Sequence, residues 1–166
     1  MTIRSARLLG HALKSAGAGA LLIFSVSAGH AQSAPFAGFD GNWSGNGTVT
    51  LSDGSSERIR CRASYKVGNG GSALEQSLRC ASDSYKFDLA ANVTSQGNNV
   101  SGSWSEASRN VYGNLNGKAG GGQIVVFVEA AGFAANITLT TKGNKQNVSI
   151  SSKGEIRGVN ISMTKG

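Results

Sequence analysis

Apolar side chains recur at every second position along most of this chain, and Gly, Asn and Ser separate the runs. Trp43, Val49 and Leu51 begin the pattern, with Gly45 and Gly47 on the same parity. Ile59, Cys61, Ala63, Tyr65 and Val67 continue it, followed by Leu74, Leu78 and Cys80. Tyr85, Phe87, Leu89, Ala91 and Val93 come next, then Val100, Gly102 and Trp104. Further runs centre on Leu115, Val126, Ile137, Val148 and Ile161. Alternation over short stretches, broken by turn residues, is what antiparallel strands with one buried face require. No window of useful length carries a helical period, and the single proline, Pro35, precedes the first run. The pattern predicts an all-β fold of about ten strands in meander order, with no significant helix past the N-terminal segment.

Register is testable from the same pattern, because a one-residue slip would turn every side chain to the other face. A turn centred on Asn69-Gly70-Gly71 places Cys61 opposite Cys80, Ala63 opposite Leu78, Tyr65 opposite Gln76 and Val67 opposite Leu74. On the other face it sets Lys66 against Glu75. A turn at Asp83-Ser84 pairs Cys80 with Phe87 and Leu78 with Leu89, and sets Arg79 against Asp88. A turn at Ser95 to Asn98 is expected to bring Leu89 opposite Trp104 and Phe87 opposite Glu106. Next, Trp104 faces Gly113 and Gly102 faces Leu115. Apolar meets apolar and opposite charges meet, the neighbours that stabilise a sheet. Near the end the inward parity shifts from Ile156 to Val159, Ile161 and Met163, which a bulge at Arg157-Gly158 would absorb.

A meander of this length leaves two exposed edges unless it closes, so an up-and-down antiparallel barrel is the economical architecture. The many Gly and Ala on the inward parity suit a tightly filled barrel or tight corners. An outer-membrane barrel also alternates, with its apolar residues facing lipid, and is the membrane alternative. Short loops, few aromatics and an end without an aromatic (Met163-Thr164-Lys165-Gly166) weigh against it.

The N-terminal segment breaks the pattern. Arg4, Arg7 and Lys14 lead into a small, apolar stretch around Leu21-Leu22-Ile23-Phe24, and Gly29-His30-Ala31 offers the small residues a signal peptidase reads. Residues 1–31 therefore read as a secretory signal peptide, cleaved before Gln32, too short in its apolar core for a stable membrane span. Residues 32–39 are expected as a flexible N-terminal arm and 40–166 as a single barrel domain. The mature chain is expected to be secreted, with the periplasm as its compartment, and to carry no transmembrane helix.

Cleavage changes the chemistry. Losing its three cations lowers the formal net charge from +7 to +4, too mild an excess to point to nucleic acid. Both histidines, His11 and His30, leave with it. Cys61 and Cys80, bound for an oxidising compartment and opposite in register, are expected to form a disulfide. Two thiols without histidine make a poor metal set, and no cofactor is expected. Serine catalysis lacks an imidazole base, and the thiols are expected to be bonded to each other. Two convergent carboxylates would still allow glycosidase chemistry, but Glu106 is the only acid on the apolar face of the first five strands in this register. The chain therefore reads as a non-enzyme with no catalytic residues.

Glu106 is the sharpest candidate. One reading is a strand-end carboxylate at the barrel mouth, solvated or satisfied by backbone; a buried lone carboxylate would be expensive. The other is a polar anchor in a ligand cavity, joined by Tyr65 and Gln76 and framed by Trp43 and Trp104. A second candidate lies on the outer face, where Arg58, Arg60 and Arg62 alternate and are joined by Lys66, Arg79 and Lys86. That stripe suits an anionic envelope component, or is a solvated strand face.

Gly41-Asn42-Trp43 resembles the Gly-x-Trp that opens calycin barrels such as lipocalins and avidins, and Gly102-Ser103-Trp104 repeats it. The resemblance implies an up-and-down barrel with a small-molecule cavity, and gives Arg157 the part of the arginine that packs on that tryptophan. The order Trp43, Cys61, Cys80 also resembles the small single-disulfide periplasmic inhibitors of secreted metalloproteases. In those a flexible N-terminal arm enters the protease cleft, a part that Gln32 to Phe36 would take. Barrel inhibitors of lysozyme are a looser match. The reading is a secreted binding protein, for a small apolar ligand inside the barrel or an anionic envelope component on the basic face. Inhibition of a secreted hydrolase is the alternative.

Overall fold

A computed structural model describes residues 34–166. The expected signal peptide, its cleavage point and the start of the arm lie outside these residues.

Ten antiparallel strands close into one barrel in which each strand pairs with its neighbours in sequence and β1 pairs with β10. They are β1 (Gly41–Leu51), β2 (Ser56–Gly68), β3 (Ala73–Ala81), β4 (Lys86–Gln96), β5 (Asn99–Glu106), β6 (Val111–Gly120), β7 (Gln123–Ala130), β8 (Phe133–Lys142), β9 (Lys145–Ser152) and β10 (Ile156–Lys165). Closure gives both β1 and β10 a full set of hydrogen-bonding neighbours, so no strand edge is left exposed.

Register follows the expected pairing through β2, β3 and β4: Cys61↔Cys80, Tyr65↔Gln76, Lys66↔Glu75, Leu78↔Leu89 and Arg79↔Asp88. The disulfide Cys61–Cys80 is formed. Between β4 and β5 the expected partners are corrected by two residues. Leu89 lies opposite Glu106 and Ala91 opposite Trp104. The reason is the turn, which tightens around Gly97 at φ 62° and lets Gln96 pair with Asn99. A slip of two leaves each side chain on its expected face. The bulge also appears where the parity shift requires it, because Thr50 pairs with Gly158 and Leu51 with Ile156, leaving Arg157 unmatched.

The inward glycines have a steric cause. A Cβ on Gly45 would lie 1.9 Å from the Ser162 carbonyl oxygen, and one on Gly47 would lie 2.2 Å from that of Asn160. At this point β1 presses against β10 so closely that only glycine fits.

The outer wall is polar: Asn42, Ser44, Asn46 and Thr48 on β1, Asn160, Ser162 and Thr164 on β10, Asn147, Ser149 and Ser151 on β9. Tyr112, Val125 and Phe127 are its exposed apolar exceptions. Polar outside and apolar inside is the inverse of a lipid-facing barrel, which corrects the outer-membrane alternative. No helix among the described residues is long and apolar enough to cross a membrane.

The arm expectation is also corrected for the described part of that segment. Ala34 to Phe39 folds as turns across one end of the barrel, with Phe36 and Phe39 fully buried. The Phe36 N–H donates to the Gly71 carbonyl at 3.2 Å, and the Trp43 indole N–H donates to the Phe39 carbonyl at 2.8 Å. Gly71, at φ 94°, lets Ala34 approach; a Cβ there would meet the Ala34 methyl at 2.5 Å. Two aromatic rings lose their contact with water only by packing here, which outweighs the freedom of a short segment.

Candidate functional site

Closing one end with Phe36 and Phe39 leaves the other as the open mouth. The closed end holds the N-terminal turns and the Asn69–Gly71 3-10 turn; the mouth carries the β2-side end of β1 and the loops after β3, β5, β7 and β9. Burial differs between the ends, although Val49, Ile59 and Val128 toward the mouth are buried and Val67 toward the closed end is only partly so. Toward the closed end the inward residues Trp43, Tyr65, Leu74, Val100, Ala119, Ile124 and Met163 are buried. Toward the mouth the inward Phe87, Leu89, Trp104, Ile137, Ile150 and Ile156 are only partly buried. They face a cavity of about 390 Å³ that runs inside the barrel and reaches Arg109 and Ala131-Gly132 in two mouth loops. Such a volume lies within the range of small-molecule sites.

Of the five ligand-site candidates, Tyr65, Gln76, Trp104 and Glu106 line this cavity. Their states differ. Glu106, at the mouth end of β5, is 5% exposed. Its carboxylate accepts the backbone N–H groups of Asp88 at 2.9 Å, Ser108 at 3.2 Å and Arg109 at 2.8 Å, and the Arg109 guanidinium lies 3.5 Å away. Burial works to raise its pKa. Hydrogen bonds from Asp88, Ser108 and Arg109 outweigh burial and hold the carboxyl below its usual range. The group thus ties down the β5–β6 turn. Arg109 donates to the Lys86 carbonyl and stacks on Phe87, 5.0 Å from the ring centroid.

Tyr65 stands at the floor of the cavity, edge-on to Phe39 at 6.1 Å between centroids. Its hydroxyl donates to Gln146 Oε1 at 3.0 Å, and Gln146 in turn donates to Thr141 Oγ1 at 3.0 Å. Burial pushes the Tyr65 phenol above its ordinary pKa, only partly offset by the Gln146 bond. Gln76 differs from both: it is half-buried on the inward face and makes no side-chain hydrogen bond among the described residues.

Trp104 lies across Gly113, whose missing Cβ would come 2.6 Å from the indole nitrogen. It donates to the Asn114 carbonyl at 3.2 Å and meets the Phe133 ring edge-on, with centroids 5.6 Å apart. Trp43 is corrected from mouth to closed end. There it is 2% exposed, with the Lys165 ammonium 5.6 Å from its ring. Arg157 sits at the opposite end of β10, beside the partner of Leu51, so the calycin-type arginine contact is not made; Lys165 supplies the cation, because it is the residue of β10 opposite Trp43.

The basic side chains stand on the outer face as expected. Arg60, Arg62, Arg79 and Lys86 border one surface groove together with Ser44, Asn46, Ser64 and Ser77; Arg58 and Lys66 lie outside it. Arg62 is directly opposite Arg79. Arg79 reaches Asp88 at 3.3 Å, one of two ion pairs among the described residues.

Sequence reasoning missed Gln146, Arg109, Phe133 and the Phe36/Phe39 floor. Gln146 was findable, since it shares the inward parity of Val148 and Ile150. Arg109 and Phe133 carry no local signal, because a turn and a strand start are brought to the mouth only by closure of the barrel.

No family model matches the sequence, and no curated protein is similar to it. Among solved structures the chain is similar to Rv2717c from M. tuberculosis, whose crystal structure aligns with a TM-score of 0.63. The alignment covers 78% of this chain and 94% of that one at 10% sequence identity. At that identity the likeness is one of fold, a small closed barrel.

Proposed function

We propose that this chain is a non-enzymatic, exported binding protein that takes a small apolar ligand into the barrel through the mouth framed by Phe87, Trp104, Glu106, Arg109 and Phe133. The observation that carries this reading is the row of apolar side chains left partly exposed around an internal cavity. A barrel selected only for stability gains by filling such space, since close packing is the norm and a void forfeits contacts. Its disulfide is compatible with an oxidising compartment.

The test is binding of a fluorescent apolar probe, N-phenylnaphthylamine. Wild-type protein is expected to enhance its emission, and Leu89→Trp, which fills the cavity just inside the mouth, to abolish the enhancement while the protein stays folded. Equal enhancement by both would reject the barrel as the site.

A second reading is supported by the outer groove. Like charges directly opposite one another destabilise a sheet, and Arg62 against Arg79 is such a pair. An anionic envelope component lying in the groove would relieve it. Replacing Arg60, Arg62 and Arg79 by Ser should then abolish retention on anionic envelope extracts; unchanged retention would reject this use of the face.

A further inference from the structure

Among the described residues five polar side chains besides the Trp104 indole line the cavity, and four are already engaged, Arg109 by Glu106 and the Lys86 carbonyl and Ser152 by the Ile156 carbonyl. Glu106 is saturated by three amides and a guanidinium. Tyr65 is held by Gln146, which is itself held by Thr141. Gln76 is left. It is the second inward residue of β3 counted from the closed end, two residues from the buried Leu74, and it lies between Tyr65 on β2 and Ala91 on β4. It lines the cavity among Ile59, Leu74, Leu78 and Val93, and no group among the described residues answers its carboxamide. A leucine at this position would add apolar contact at no cost in hydrogen bonds, so the amide contributes nothing that the fold itself uses.

We infer that Gln76 is the ligand's polar anchor, and that the ligand is an apolar molecule carrying one uncharged hydrogen-bonding group, a hydroxyl, carbonyl or amide, inserted first and seated near the closed end. This rests on the barrel-interior reading and narrows it. The charge state follows from the surroundings: Gln76 is neutral, Tyr65 is kept protonated by burial, and the two charged groups that line the cavity among the described residues, Glu106 and Arg109, are paired with each other at the mouth. A charged group carried to this depth would meet no countercharge, whereas a carboxamide both donates and accepts.

The experiment compares decanol with decane as displacers of N-phenylnaphthylamine from wild-type protein and from Gln76→Leu. Decanol is expected to weaken against decane by about tenfold on Gln76→Leu, the order of one buried polar group left without its partner. Decane affinity should stay level or rise. Gln76→Met, similar in length and lacking the amide, should behave like Gln76→Leu. Independently of any variant, the Gln76 side-chain amide resonances of wild-type protein should shift on adding decanol and stay in place on adding decane. If the decanol-to-decane ratio is the same in all three proteins and the resonances do not move, Gln76 is not the anchor although the barrel still binds. If neither compound displaces the probe from wild-type protein, the barrel-interior reading falls and this inference with it.

Discussion

Phe39→Ala is the sharpest test of how the barrel is closed. The ring is fully buried beneath the N-terminal turns, edge-on to Tyr65 at 6.1 Å, and its backbone carbonyl holds the Trp43 indole. Truncating a fully buried phenylalanine costs about 3–5 kcal/mol, and the aromatic pair accounts for about 0.5–1.5 kcal/mol of that. The carbonyl survives the substitution, so no hydrogen bond is deleted and the loss is one of packing. A domain with about 5–15 kcal/mol of stability remains folded and becomes measurably weaker. Urea unfolding at neutral pH, followed by tryptophan fluorescence, reads the change as a lower midpoint with an unchanged slope. Phe36→Ala should give a similar loss. Because the two rings share one plug, the double variant should depart from additivity. Losses below about 1 kcal/mol for both single variants would refute the packed closure and restore a free arm, of the kind a protease inhibitor would use.

Glu106→Gln should cost about 2–3 kcal/mol, since charged acceptors hold the β5–β6 turn and the amide presents a donor to other donors. The folded-state pKa of Glu106 lies below its unfolded value, so its contribution is complete above about pH 4.3 and is lost as pH falls through the folded value. Acid unfolding of wild-type protein should therefore show a steeper loss than that of Glu106→Gln; parallel curves would count against this account. Cys61→Ala combined with Cys80→Ala, which opens a loop of separation 19, should lower the unfolding free energy by about 3 kcal/mol, and an unaltered urea midpoint would contradict it. Gly47→Val forces a Cβ to 2.2 Å from the Asn160 carbonyl oxygen and should cost about 3 kcal/mol or more, read from thermal unfolding; a tolerated valine would mean that β1 and β10 do not press together as described.

Strand content, the inward and outward faces, the Cys61–Cys80 pair and the bulge at Arg157 were all legible in the chain, because each is written in period-two alternation. Alternation assigns faces with a period of two and is blind to slips of two, which is why Trp104 was given Leu89 as its partner where the structure gives Ala91. Glu106 was legible as a strand-end carboxylate at the mouth, satisfied by backbone, but which end of the barrel closes was not. Trp43 and Trp104 carry the same Gly-x-Trp spacing, yet one is buried at the closed end and the other flanks the cavity. Which end closes depends on where Phe36 and Phe39 pack, and no local pattern near Pro35 encodes that.

The same division holds for the polar candidates. The chain by itself determined that Tyr65, Gln76 and Glu106 face inward, since parity follows from the pleat of each strand. Only the tertiary structure decided their states, because distant segments complete the hydrogen bonding: Gln146 on β9 for Tyr65, the Asp88 amide on β4 beside the local Ser108 and Arg109 amides for Glu106, and, among the described residues, none for Gln76. Side-chain direction is a local property of the backbone. Whether a polar group is satisfied depends on what the closed barrel brings beside it.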